Sequence, residues 1–126
     1  MTESETFEVD SFDLDGFIAA MTAKQADRWS DYYAPGAEWL KYQPDQKPTR
    51  PKRLEGREAI VSFVQETCDS GLKIEVEDPV VGDGITWYQA NVALGDGRTI
   101  LQHVRLRTLG RVIIQQVDVE AWDHPS

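Results

Sequence analysis

Residues 98–122 read RTILQHVRLRTLGRVIIQQVDVEAW. Two runs of alternating character flank Leu109-Gly110, which is the pattern of an antiparallel hairpin. One set of alternate positions is mostly apolar: Ile100, Val104, Leu106, Ile113, Val117, Val119 and Ala121, interrupted by Gln102 and Gln115. The other set is polar: His103, Arg105, Arg107, Gln116, Asp118 and Glu120. The one candidate acid/base pair, His103 and Asp118, belongs to the polar set. Which set faces the core therefore decides what chemistry the hairpin can support.

Working outward, the segments before the hairpin supply the rest of a sheet and its helices. Leu72, Ile74 and Val76 alternate with Lys73, Glu75 and Glu77, and Pro79 then marks a bulge or an edge. Ile85 to Leu94 is the next strand, closed by the Gly95-Asp96-Gly97 turn. Upstream, Phe17, Ile18 and Met21 stand at helical spacing behind Asp13 and Asp15, which suit a helix N-terminus. A second short helix is expected over 25–34, ended by Pro35-Gly36, and a strand over 37–42. Gly56-Arg57-Glu58 opens a third helix with Ile60, Phe63, Val64 and Thr67 as its buried stripe. Residues 1–11 hold four acids and no base and read as a mobile acidic leader. One domain over 12–123 and a tail over 124–126 complete the division. The expected layout is α+β, with helices on one face of a curved sheet of about five antiparallel strands.

Composition narrows the function classes. The chain has 126 residues and a formal net charge of −9, a balance that repels nucleic acid and anionic membrane. The exception is the stretch 41–56. It gathers Lys41, Lys47, Arg50, Lys52 and Arg53 against Asp45 and Glu55 in a proline-rich loop that is a candidate lid. The N-terminus has neither a basic nor an apolar signal region, and no apolar run is long enough to span a membrane. A lone cysteine, Cys68, excludes an internal disulfide and fits a reduced cytoplasmic setting. His103 and His124 are too far apart in sequence for a metal motif, and neither a phosphate-cradling glycine loop nor a serine nucleophile motif occurs. No metal and no cofactor is expected.

Four stretches carry a family resemblance: FIAAMTAKQADRWSDYYAPGAEW, LEGREAIVSF, DGR at 96–98, and LGRV with the terminal VDVEAW. Together they make the chain resemble the nuclear transport factor 2-like superfamily, and within it the SnoaL-like group, over about 12–123. The resemblance implies a cone-shaped α+β fold whose bent sheet wraps the helices around a central pocket. It implies a homodimer packed through the outer sheet face. The group includes ketosteroid isomerases, polyketide cyclases, epoxide hydrolases and non-enzymatic binders, so the fold alone assigns no activity.

The resemblance also names positions to test. The isomerases carry a general-base aspartate on the first strand, where this chain has Lys41, so that base is absent. Their oxyanion acid on the first hairpin arm corresponds to Gln102 without a gap, or His103 with one. The cyclase aspartate on the second arm corresponds to Val117 or, with a gap, Asp118. The Arg and Asp of the epoxide hydrolases correspond to Gln89 and Asn91.

Alternation favours the apolar set facing inward, since a sheet rarely buries several charges while exposing its aliphatic face. Gln102 and Gln115 then face a pocket with Trp87, Gln89 and Asn91, walled by Tyr33, Trp39 and Phe63. His103 and Asp118 would point outward. A β-bulge near the turn would flip one arm, and with both His103 and Asp118 inward they would form a catalytic pair. The function expected is binding of a small apolar molecule, with cofactor-free cyclase, isomerase or hydrolase activity as its catalytic form. The alternative is a non-catalytic binding or dimerisation module.

Overall fold

The computed structural model describes residues 11–123, and the leader and the tail lie outside the described residues apart from Ser11. Three helices and six strands follow in the order α1 (Leu14–Thr22), α2 (Ala26–Ser30), β1 (Tyr33–Tyr42), β2 (Lys52–Glu55), α3 (Arg57–Asp69), β3 (Lys73–Gly82), β4 (Ile85–Ala93), β5 (Thr99–Leu109) and β6 (Val112–Asp123). The strands form one sheet in the order β2-β1-β6-β5-β4-β3. Every neighbouring pair is antiparallel except β1 and β6, which run parallel. The sheet is curved, unclosed and mixed, and it carries one strand more than the alternation alone indicates. The extra strand, β2, lies within the basic stretch: Lys52, Arg53 and Leu54 pair with Lys41, Leu40 and Trp39.

The first helix is held at both ends. Asp13 caps it by accepting from the Gly16 N–H at 3.0 Å. A Cβ at Gly16 would collide with that carboxylate and with the Tyr32 hydroxyl, which explains the glycine. The helix buries Phe17, Ala20 and Met21. Lys24, in a left-handed conformation just past its end, donates from Nζ to the Leu72 carbonyl at 2.9 Å. The second helix is shorter than expected, ending at Ser30 before Pro35-Gly36 is reached. Those two residues instead sit inside β1, where the pairing with β6 slips between Tyr33 and Glu38.

Two further slips bend the sheet. One is at Asp78-Pro79 in β3, where Asp78 adopts a positive φ of 53°. The other is at Ile114 in β6: Arg107 pairs with Gln115 and Thr108 with Ile113, leaving Ile114 as the extra residue. Bulges of this kind bend a strand and reverse the facing of the residues beyond them.

The concave face of the sheet packs on the helices. Phe17, Ile60 and Val64 from the helices and Tyr33, Leu106 and Ile113 from the sheet are the fully buried anchors of this core. Each such side chain contributes about 1.5–3 kcal/mol relative to an exposed one. A chain of rings runs through this core. Phe17 meets Tyr33 edge-on at 6.3 Å, Tyr33 stacks on Trp39 at 5.8 Å, and Trp39 meets Phe63 edge-on at 5.1 Å. No helix among the described residues is long and apolar enough to cross a membrane.

Candidate functional site

The ring chain ends in a cavity of about 280 Å³ between the concave face of the sheet, α1, α2 and α3. Its apolar lining includes Trp29, Trp39, Phe63, Tyr88, Val92 and Ile100, and its polar lining is Lys41, Gln43, Glu66, Thr67, Ser70, Gln102, Gln116 and Glu120. The buried charged groups are concentrated where β1 runs beside β6, while Glu66, Thr67 and Ser70 lie along α3 and its end.

The bulge at Ile114 is the cause of that concentration. Before it, Ile113 is buried; after it, Gln116, Asp118 and Glu120 turn inward and Val119 turns out. The parallel neighbour β1 is in phase, pairing Trp39 with Gln116 and Lys41 with Asp118, so these four side chains meet on the concave face. Lys41 is 4% exposed, Asp118 0% and Glu120 8%. The Lys41 ammonium lies 3.0 Å from Asp118 Oδ2 and 2.9 Å from Glu120 Oε2. It also sits over the rings of Trp39 and Phe63, 5.2 and 5.1 Å from their centroids.

Among the described residues, each carboxylate is held by donors alone. Asp118 accepts from Trp39 Nε1 at 2.9 Å, Lys41 Nζ at 3.0 Å and Gln116 Nε2 at 2.9 Å. Glu120 accepts from Gln102 at 3.0 Å and Trp122 at 2.9 Å besides Lys41, with Gln43 more distant at 3.5 Å. A carboxyl surrounded only by donors is ionised, since a protonated one needs an acceptor for its own hydrogen. The network continues through Gln116, whose carbonyl accepts from the Tyr33 hydroxyl.

Titration follows from these contacts. Burial opposes the Lys41 charge, but Asp118 and Glu120 outweigh it and hold its pKa above the ordinary lysine value. Burial likewise opposes the Glu120 charge, and Lys41, with the Trp122 and Gln102 donors, outweighs it and lowers its pKa. Burial pushes the Tyr33 and Tyr88 hydroxyls up, and the nearby Asp118 charge adds to this. The Trp29 indole N–H beside the Tyr33 hydroxyl opposes that rise.

The residues singled out in the sequence divide between the two faces. Trp39, Phe63 and Gln102 line the cavity, and Tyr33 lies behind Trp39. The other four are corrected to the convex face. Trp87, Gln89 and Asn91 pair with Arg105, His103 and Leu101 across the β4–β5 ladder, on the side away from the core. Trp87 is 43% exposed, and Gln89 donates to Glu77 at 3.2 Å. Gln115 also lies outside, donating to Glu38 at 3.0 Å.

His103 and Asp118 are not brought together. His103 pairs with Val119 and is exposed, whereas Asp118 pairs with Val104 and is buried. One arm of the hairpin follows the alternation and the other is inverted by the bulge. Lys41, Gln116 and Glu120 escape a reading by alternation, which makes them a loop base and two outward polar residues. The available signal is the spacing Gln116-x-Asp118-x-Glu120 beside Trp39-x-Lys41: an ammonium in phase with two carboxylates on neighbouring strands. Among the described residues no group of three or more His, Cys, Asp or Glu is placed to hold a metal ion.

A model of the SnoaL-like domain family matches residues 14–116, most of the chain. The chain belongs to the SnoaL-like domain family. Solved structures place this SnoaL-like domain in the nuclear transport factor 2-like, cystatin-type fold. An NTF2-like protein of unknown function from Mesorhizobium loti is similar at a TM-score of 0.73 and 15% identity, over 83% of this chain and 84% of that one. A protein from Kribbella flavida, provisionally named a ketosteroid isomerase, gives 0.70 and 16% over 89% and 78%. An uncharacterised cystatin-fold protein from Novosphingobium aromaticivorans gives 0.68 and 15% over 82% and 92%. Identities this low establish the fold of the SnoaL-like domain and not its chemistry. No match was found among curated proteins.

Removing the ammonium from this wall would leave two buried carboxylates unpaired. Lys41→Met is expected to cost about 3–5 kcal/mol at neutral pH in urea unfolding. The sign with pH separates the two proteins. In the wild type, the lowered pKa of Glu120 stabilises the fold above the ordinary glutamate range, and this is lost as pH falls through the folded value. In Lys41→Met the cation that helps lower the Glu120 pKa is gone, so less stability is lost as pH falls and the deficit relative to the wild type shrinks over the same range.

Proposed function

We propose that this SnoaL-like domain binds a small, mostly apolar molecule in the cavity, with the polar end of the molecule against Lys41, Gln102, Gln116 and Glu120. The observation that carries this reading is the asymmetry of the cavity. Aromatic and aliphatic side chains line most of it, and the buried charges are gathered on the β1–β6 side. Ligand sites combine these two features, since apolar walls supply binding energy and a few fixed polar groups supply orientation.

A catalytic form of the reading is cofactor-free isomerisation, cyclisation or hydrolysis. The feature that favours it is a carboxylate and an ammonium fixed 2.9 Å apart in an apolar cavity, one able to accept a proton and the other to stabilise developing negative charge. Asp118 is set behind this pair, saturated by its three donors, and acts on Lys41 rather than on a ligand. The convex face has a separate role in this proposal. Trp87 and Val119, 43% and 52% exposed, belong to the surface a second copy would cover.

The binding reading is tested by titrating an uncharged probe, 2-phenylethanol, and following the indole signals of Trp29 and Trp39 by nuclear magnetic resonance. Saturable shifts confined to the cavity, abolished by the cavity-filling Val92→Phe, are expected; shifts that persist in Val92→Phe would refute it. On any substrate the protein turns over, Glu120→Gln should remove turnover and leave binding measurable. For the convex face, Val119→Lys should lower the sedimentation mass from dimer to monomer, and an unchanged mass would exclude that interface.

A further inference from the structure

The charges that meet the cavity do not balance. Lys41 is the one cation among its described lining residues, against the anions Glu66 and Glu120, with Asp118 directly behind. Glu66 is exposed at the rim, where water screens it. The inner three groups are not screened: their side chains are 5%, 0% and 2% exposed for Lys41, Asp118 and Glu120. Two buried carboxylates held only by donors therefore face one buried ammonium, and one negative charge is left over in an apolar cavity.

The four donors around Glu120 differ in strength. Lys41, Gln102 and Trp122 approach within 2.9–3.0 Å, whereas Gln43 Nε2 stands at 3.5 Å from Oε1. Gln43 is part-exposed and lines the cavity, so its place at Glu120 can be taken by a better donor entering from the open side. Ring faces in the same region already receive cations: Lys41 lies over Trp39 and Phe63, and the exposed Lys52 lies 4.8 Å from the Phe63 centroid. Lys52 supplies positive charge beside the Phe63 ring, but in contact with solvent, and does not neutralise the inner carboxylates.

We propose that the ligand of this cavity is an organic cation: a protonated amine on an apolar body, its ammonium replacing Gln43 at Glu120 Oε1. The proposal rests on the small-molecule reading above and narrows it to one charge class. An ammonium there supplies the missing positive charge and a charge-assisted hydrogen bond. A ligand carboxylate in the same position would be a third negative charge beside Asp118 and Glu120. A neutral alcohol would gain the apolar walls but not the charge.

The test is a matched series at neutral pH and low salt: 2-phenylethylamine, 2-phenylethanol and phenylacetate, with affinities measured by indole signals and calorimetry. The amine is expected to bind about tenfold or more tighter than the alcohol, and phenylacetate most weakly. Glu120→Gln should weaken the amine about tenfold more than it weakens the alcohol. Equal or tighter binding of the alcohol or of phenylacetate in the wild type overturns the proposal and leaves the small-molecule reading intact. So does an amine affinity unchanged in a folded Glu120→Gln variant. Failure of all three probes to bind overturns both. If Glu120→Gln does not fold, the wild-type ranking alone decides.

Discussion

The burial of one ammonium and two carboxylates between strands β1 and β6 is the constraint on which the rest of this structure depends. Charges out of water are tolerable only when paired and hydrogen-bonded. The chain meets that condition by bringing Lys41, Asp118 and Glu120 together and surrounding them with the donors of Trp39, Gln102, Gln116 and Trp122. The pairing requires β1 and β6 to run side by side in parallel and in one register, because a one-residue slip would send half of the cluster to the convex face. The two strands come from opposite ends of the chain, so the cluster also ties the N-terminal half of the fold to the terminal hairpin.

Much of the fold was legible from periodicity. The alternation of Ile74, Val104 and Leu106 and the helical stripe of Ile60 and Val64 report the same buried faces that the structure has. The pattern failed at bulges, where alternation stops being informative. Pro35-Gly36 resembles a helix stop but forms an irregular stretch inside β1, and Ile114 adds a residue to β6 without leaving a gap in the hydrophobic pattern. With Ile114 counted as an ordinary strand residue, Val117 and Val119 fall in the inward set and Asp118 in the outward set. The single insertion is enough to exchange the two.

The candidate site was only partly readable for the same reason, with a second added. Phe63 on α3 and Gln102 on β5 stand on segments without a bulge, and Trp39 follows the slip in β1; all three line the cavity. Gln89, Asn91 and Trp87 needed the phase of β4 relative to the core, and four consecutive semi-polar residues do not define it. Lys41 was obscured by its neighbours: five bases in sixteen residues read as a solvated loop, although this one occupies the inward position two after Trp39. Composition alone cannot separate a buried cation from exposed ones, because its partners lie more than seventy residues away. The fold shared with proteins of 15–16% identity leaves such local charge arrangements free to vary.

The central claim is that Lys41 and Asp118 are energetically coupled inside the fold. A double-mutant cycle measures this directly, using urea unfolding of the wild type, Lys41→Met, Asp118→Asn and the double variant at neutral pH. The account predicts a coupling of about 2–3 kcal/mol, with the double variant far less destabilised than the two single losses added together. Additivity within about 0.5 kcal/mol would mean that the two side chains do not meet in a water-poor interior, and would contradict it.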